Sequence, residues 1–228
     1  MSRLARIVLP GFPHHVTQRG NRRETVFFED GDYLYYMELL DAAAKKAGTK
    51  VWAYCLMPNH VHLIMVPAHA DGLRATLADA HRRYTRHVNA RNKWTGHLWQ
   101  GRFGSVVMDE AHLAGAVRYV SLNPVRAGLV KRAADWRWSS VNAHLSGKGD
   151  RLVSPEPVLK RFPDFTALLE SGEEEEMSKS LRAAETIGRP LGEAEWLQEI
   201  EAELGRRVRP EKRGRKTGTK FPSARSKK

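Results

Sequence analysis

The chain has 228 residues, 41% of them hydrophobic, with six Trp, enough to bury a substantial core in one main domain with appendages. No run approaches the roughly 18 apolar residues of a membrane span. The start, Met1-Ser-Arg-Leu-Ala-Arg6, lacks a signal-peptide apolar segment, and the single Cys55 excludes a disulfide framework. A cytoplasmic protein is therefore expected. The net charge of +12 is unevenly spread: residues 1–163 carry 24 Lys/Arg against 13 Asp/Glu, residues 164–205 carry 3 against 12, and residues 206–228 carry 11 against 1. A basic body with a basic tail favours nucleic acid over a membrane surface as partner.

In chain order, residues 12–19 (Phe-Pro-His-His-Val-Thr-Gln-Arg) read as a short strand that leads into the turn Gly20-Asn21-Arg22-Arg23. Arg19, Arg22 and Arg23 present planar donor forks suited to phosphate; a solvated loop is the equal alternative. Asp30-Gly-Asp32 begins a helix with apolar positions at Leu34, Met37, Leu40, Ala44 and Ala47, and Gly48 closes it. Val51 to Met57 reads as a strand, Pro58-Asn59 as a tight turn, and the next strand returns as the second arm of a hairpin.

That second arm holds His60-Val61-His62 within an otherwise apolar run. Alternate residues of a strand face one side, so both imidazoles project together, about 7 Å apart along the chain. They can close on one metal ion or one phosphate. A single His on an apolar strand is most often a satisfied core residue, so the weight of the pair depends on what else the chain brings to it.

A second helix is expected over about 71–89, with a stripe at Leu73, Leu77, Ala80, Tyr84 and Val88. Its opposite face carries Arg74, Arg82, Arg83 and Arg86. Trp94 to Phe103 then mixes aromatics with Gln100 and Arg102. Between 74 and 102 there are seven Lys/Arg against one acid, Asp79. Cations for phosphates and rings for bases are the ingredients of single-strand binding, although Tyr84, on the apolar stripe, reads as core. A strand follows at 103–108.

The order strand, helix, strand, strand, helix, strand is the split βαβ, ferredoxin-like arrangement. It predicts an α+β fold with an antiparallel sheet, helices on one face and the His60 strand at its centre. The opposite face would be open. Asp109 then caps an extra helix with a stripe at Leu113, Ala116, Val117 and Val120, which Pro124 stops at Asn123. Tyr119 and Asn123, four apart, share a face. Trp136 and Trp138 anchor a return segment. Residues 146–205 read as a partly helical, acidic extension, and 206–228 as a basic disordered tail.

Two imidazoles with the Asn123 amide oxygen make an open site suited to Mg²⁺ or Mn²⁺ when substrate oxygens complete the shell. A phenol with pKa about 10 is a poor nucleophile, but a nearby cation favours its phenolate. Tyr119 could then form an ester with DNA.

Met57-Pro-Asn-His-Val-His-Leu63 and Arg118-Tyr-Val-Ser-Leu-Asn-Pro-Val-Arg-Ala-Gly128 resemble the REP-associated tyrosine transposases, single-tyrosine HUH nucleases related to small insertion-sequence transposases. His15 to Arg23 and Gly96 to Phe103 match as well, so the resemblance covers about residues 5–145, a domain assigned here to 1–145. It implies that His60, His62 and Asn123 are ligands of a divalent metal. It further implies that Tyr119 attacks single-stranded DNA beside a palindromic hairpin, giving a 5′-phosphotyrosyl link and a free 3′-OH. Asn21, Arg22 and Arg23 would help to recognise the hairpin, and the protein would be nucleoid-associated when bound, as monomer or homodimer. Two other readings stand beside this one. A non-catalytic DNA-binding regulator would keep the fold without turnover. A zinc hydrolase would need a third strong ligand and a carboxylate base.

Overall fold

In the computed structural model the described residues are 6–171 and 175–209. The elements run β1 (His14–Arg19), a 3-10 turn (Asn21–Arg23), α1 (Asp30–Lys46), β2 (Thr49–Met57), β3 (His60–Pro67), α2 (Gly72–Asn92) and β4 (Gly104–Val107). They continue as α3 (Glu110–Ser121), α4 (Asn123–Arg126), α5 (Val141–Ser146), α6 (Glu156–Leu159), α7 (Phe165–Glu170), α8 (Glu175–Ile187) and α9 (Ala194–Leu204). The sheet order is β2-β3-β1-β4, antiparallel throughout. This is the expected α+β, ferredoxin-like topology, with β3 internal.

Both faces of this sheet are buried. Val61, Leu63 and Met65 of β3 enter a core with Leu40 of α1 and with Leu77 and Tyr84 of α2. Their neighbours Ile64 and Val66 enter a second core with Leu113, Val117 and Val120 of α3, and with Phe165 and Leu181 beyond. The face expected to be open is therefore covered in part by α3, which packs against α7 and α8. The physical reason is visible in β2 and β3: near-continuous apolar runs need partners on both sides. The approach of α8 is close, since a Cβ on Gly115 would lie 2.6 Å from Met177 Cγ.

Asp109 caps α3 as expected, accepting from the His112 amide at 2.9 Å. The helix ends at Ser121, earlier than anticipated, and Asn123 opens α4. Pro124 is tolerated in that first turn because the missing N–H would have had no helical partner. Tyr119 and Asn123 thus sit on successive helices, broken at Leu122, and not on one face of one helix.

Both edges of the sheet are occupied. Along β2, the Leu56 amide donates to Trp138 O at 2.8 Å and the Ser140 amide to Tyr54 O at 3.0 Å. Trp138 itself stacks on Tyr33, as an anchor should, with ring centroids 4.4 Å apart. Along β4, Met108 bridges Leu191, whose amide donates to Val107 O at 2.9 Å.

The expected disordered tail does not begin at 206. Val208 is buried, and Arg209 forms an ion pair with Glu201 at 2.7 Å. The rest of that tail, 210–228, lies outside the described residues, as do Glu173 and Glu174 of the acidic run. Among the described residues no helix is long and apolar enough to cross a membrane.

Candidate active site

His60 and His62 lie on the α3 side of β3, their ring centroids 4.9 Å apart and their planes nearly perpendicular. Adjacent β1 adds a third imidazole, His15, whose Nε2 lies 3.0 Å from His62 Nδ1. The Tyr119 ring, delivered by α3, stands edge-on to both His15 and His62, with centroids 5.7 Å away in each case. The Arg126 guanidinium lies over that ring, 4.0 Å from its centroid, and also donates to the Tyr119 carbonyl. The nucleophile candidate is thus in contact with two imidazoles and a cation.

The loop geometry around His60 follows from local sequence. Gly20 packs so tightly that a Cβ there would lie 2.2 Å from the Glu24 carbonyl oxygen and 2.8 Å from Val26 Cγ1. Its amide donates to Asn59 O, and the Val26 amide to Pro58 O, both at 2.8 Å, so the 20–26 loop grips the β2–β3 turn. Asn59 Nδ2 in turn donates to Arg23 O at 3.0 Å. This leaves Asn59 Oδ1 to face His60 Nδ1 at 2.6 Å. A carbonyl oxygen can only accept, so the His60 proton sits on Nδ1 and its Nε2 lone pair is left for a ligand.

Burial keeps these rings neutral. It pushes His60 down to about 4, with Arg19 adding to the effect, and His15 down to about 3, with Arg126 adding. His62 is pushed well below the ordinary value by burial first, then by His15, His60, Arg126 and Arg19. Neutral imidazole is the metal-binding form.

By chemistry alone, the expected ligands, neutral imidazoles and an amide oxygen, are of the kind that takes a divalent cation with open positions. His60 and His62 share one sheet face, and Asn123 stands at the head of α4, 9% exposed. Among the described residues, no three His, Cys, Asp or Glu side chains are grouped to hold a metal. The third strong ligand that a zinc hydrolase needs is not grouped with His60 and His62 among the described residues, since His15 Nε2 faces His62 Nδ1. Its candidate carboxylates are also engaged elsewhere: Asp109 with the amides of His112 and Glu193, Glu110 with Arg161 at 2.7 Å.

The expected DNA-contacting residues fall into two groups. Arg19 pairs opposite His60 in the sheet. Asn21, Arg22, Arg23 and Gln100 join it, because the Asn21 amide donates to Leu98 O and the Gln100 amide to Arg19 O, each at 2.8 Å. These side chains are exposed around the His60 end of β3. Arg82, Arg83 and Arg86 are instead exposed on α2, across the sheet, where Arg82 is paired with Asp79 at 2.7 Å. Arg102 and Arg82 share a groove of about 530 Å³ floored by Leu77, Leu98 and Phe103.

Sequence reasoning missed His15, Asn59 and Arg126. The doublet His14-His15 held a signal for the first, since alternation in β1 must send one imidazole to each face. For Arg126, Pro124 marked the end of the helix, but nothing local said that the chain beyond Leu122 would bring it back onto Tyr119.

Residues 11–123 match the transposase IS200-like family. A Haemophilus influenzae relative assigned to the REP-associated tyrosine transposases is 30% identical over 99 residues, 39% of this chain and 56% of that protein. The Escherichia coli K12 REP-associated tyrosine transposase is 26% identical over 89 residues, 39% of this chain and 52% of its own length. The chain thus spans about half the length of the curated relatives it matches. In fold it is similar to a solved REP-associated tyrosine transposase bound to a REP hairpin, with a TM-score of 0.57 at 21% identity, covering 67% of this chain and 90% of that one. Over residues 11–123 the chain is similar to the IS200-like transposase family, and it resembles the REP-associated tyrosine transposases over part of their sequence and in fold.

Proposed function

We propose that this protein cuts and rejoins single-stranded DNA beside a palindromic hairpin, using Tyr119 as nucleophile and His60, His62 and Asn123 to hold Mg²⁺ or Mn²⁺. The observation that carries the reading is the placement of the Tyr119 ring 5.7 Å from the His62 ring, under the Arg126 guanidinium. A structural tyrosine has no need of two neutral histidines and an arginine around it.

When bound, the divalent cation would polarise the scissile phosphate and offset charge that develops on transfer. The chain's own residues do the rest. His15, His62 and Arg126 fix the Tyr119 ring, which limits the phenol to a narrow set of approaches to phosphorus. The Tyr119 oxygen forms a bond to phosphorus as the bond to the 3′ oxygen breaks. The phenol loses its proton to water, and the departing 3′ oxygen takes one up. The products are a 5′-phosphotyrosyl ester and a free 3′-OH, and the reverse step with another 3′-OH rejoins a strand. Arg19, Asn21, Arg22, Arg23 and Gln100, around the His60 end, would guide the strand to be cut. Arg82, Arg83, Arg86 and Arg102 would hold phosphates of the flanking hairpin.

The test is a pool of hairpin oligonucleotides with randomised single-stranded flanks, incubated with the protein and Mg²⁺ or Mn²⁺ and resolved on a denaturing gel. A covalent protein–DNA band is expected, absent in Tyr119→Phe and absent with chelator. A band that survives in Tyr119→Phe removes the nucleophile assignment. Chelator-insensitive cleavage removes the metal. DNA retention under native conditions with no covalent band in any pool would favour a regulator that binds without cutting.

A further inference from the structure

We infer that His15 is a positioning residue which fixes the tautomer of His62, so that the His62 Nε2 lone pair faces the site. The inference rests on the reading that His60 and His62 hold a divalent cation.

The two strand histidines are prepared differently. For His60 the matter is decided by Asn59, whose oxygen can only accept. His62 Nδ1 instead faces another imidazole nitrogen, His15 Nε2, at 3.0 Å, with the two rings within 9° of parallel. Between two neutral imidazoles one hydrogen is shared, and there are two ways to place it. If His15 donates from Nε2, the His62 proton sits on Nε2 and blocks the atom that should bind the metal. If His62 donates from Nδ1, its Nε2 is bare, and His15 carries its own proton on Nδ1. Only the second arrangement gives both strand histidines matching Nε2 donors.

The same contact excludes His15 as a ligand of the ion through Nε2, because that nitrogen already faces His62. Its role is one step removed, as for the groups that orient the ligating histidines of other metal sites. Location supports this. His15 is 0% exposed and His62 4% exposed, so water does not supply the partner that His62 Nδ1 needs. Without a partner there, an imidazole reverts to its intrinsic preference, which places the proton on Nε2.

The experiment uses the full chain with ¹⁵N-labelled histidine, free of metal and near neutral pH, and long-range ¹H–¹⁵N correlation to read each tautomer. In the wild type, His62 should show its proton on Nδ1. In His15→Ala it should move to Nε2, and in His15→Gln, whose side-chain oxygen can accept, it should return to Nδ1. Mn²⁺ alone is then titrated by electron paramagnetic resonance. Affinity should fall about 10–100-fold in His15→Ala and recover most of the way in His15→Gln. A wild-type His62 protonated at Nε2, or a His15→Ala protein with unchanged tautomer and Mn²⁺ affinity, overturns the inference, and Mn²⁺ binding by the wild type in either case leaves the metal reading intact. A wild type with the Nδ1–H tautomer that binds no Mn²⁺ overturns the metal reading instead, with tautomer control by His15 still measured. Should His15→Ala not fold, the wild-type tautomer and the His15→Gln titration decide the matter.

Discussion

Replacing Gly20 by Ala should disturb the site without touching any side chain in it. The new Cβ would stand 2.2 Å from the Glu24 carbonyl oxygen and 2.8 Å from the buried Val26 side chain. The first clash is with backbone, which cannot rotate away as a flexible side chain would, so the 20–26 loop must lift. Two hydrogen bonds to the β2–β3 turn go with it, Gly20 N to Asn59 O and Val26 N to Pro58 O. Strain of about 1–3 kcal/mol for overpacking and about 1 kcal/mol for each bond give a loss of roughly 3–5 kcal/mol. At about 2–4 °C per kcal/mol for a chain of this size, the melting temperature should fall by roughly 6–20 °C. Circular dichroism melts measure this directly. The turn also carries Asn59, so the His60 Nδ1 resonance in ¹⁵N spectra should shift from its wild-type position. A Gly20→Ala protein that melts with the wild type and leaves His60 unchanged would show that the loop does not brace the turn.

Three further outcomes follow from the geometry. Arg126→Gln removes a cation–π contact worth about 0.5–2 kcal/mol and a charged hydrogen bond to the Tyr119 carbonyl. Covalent adduct should form about 10–100-fold more slowly in single-turnover gels, at about 1.4 kcal/mol per factor of ten, with DNA affinity little changed; a rate within twofold of wild type refutes the clamp. The pH dependence of stability has a definite sign. Burial depresses His14 to about 4 and His15 to about 3, so the unfolded chain binds more protons below its own pKa. Stability is complete above about pH 6.5 and falls as pH drops towards 4, each fully buried histidine adding up to about 1.4 kcal/mol per unit. Urea midpoints flat across that window would contradict it. Cys55 is fully buried and its thiol is pushed up by burial. Ellman's reagent should therefore react only as the protein unfolds, and rapid reaction with the native protein would show that this face opens.

Much of the architecture could be read from the order of elements, because period-2 and helical patterns in β1 to β4, α1 and α2 are strong and their connections short. The site was legible in part for the same reason: alternation places His60 and His62 on one face whatever the tertiary context. The cover over that face was less accessible. Runs such as Val61 to Val66 imply burial on both sides, but nothing in them says that α3, α7 and α8 supply it. His15 reaches His62 only because β1 and β3 are neighbours, a pairing between residues 47 apart in the chain. Arg126 reaches Tyr119 through the break at Leu122, where φ −88° and ψ 0° still look helical residue by residue.

The occupied sheet edges bear on how copies of the protein can meet. An exposed outer strand is a ready template for another chain, and many assemblies grow by continuing a sheet across the boundary. Here the segment at 138–140 already uses hydrogen-bonding groups of β2, and Leu191 already uses Val107 O on the β4 side. A second molecule could join the sheet at those points only by stripping away one of these segments. One of the two holds the Trp138 anchor, and the other leads into Glu193, whose amide donates to the Asp109 cap of the Tyr119 helix. Assembly through strand addition would thus come at the expense of the helix that carries Tyr119, which leaves loops and helix surfaces as the places where two copies can touch without disturbing it.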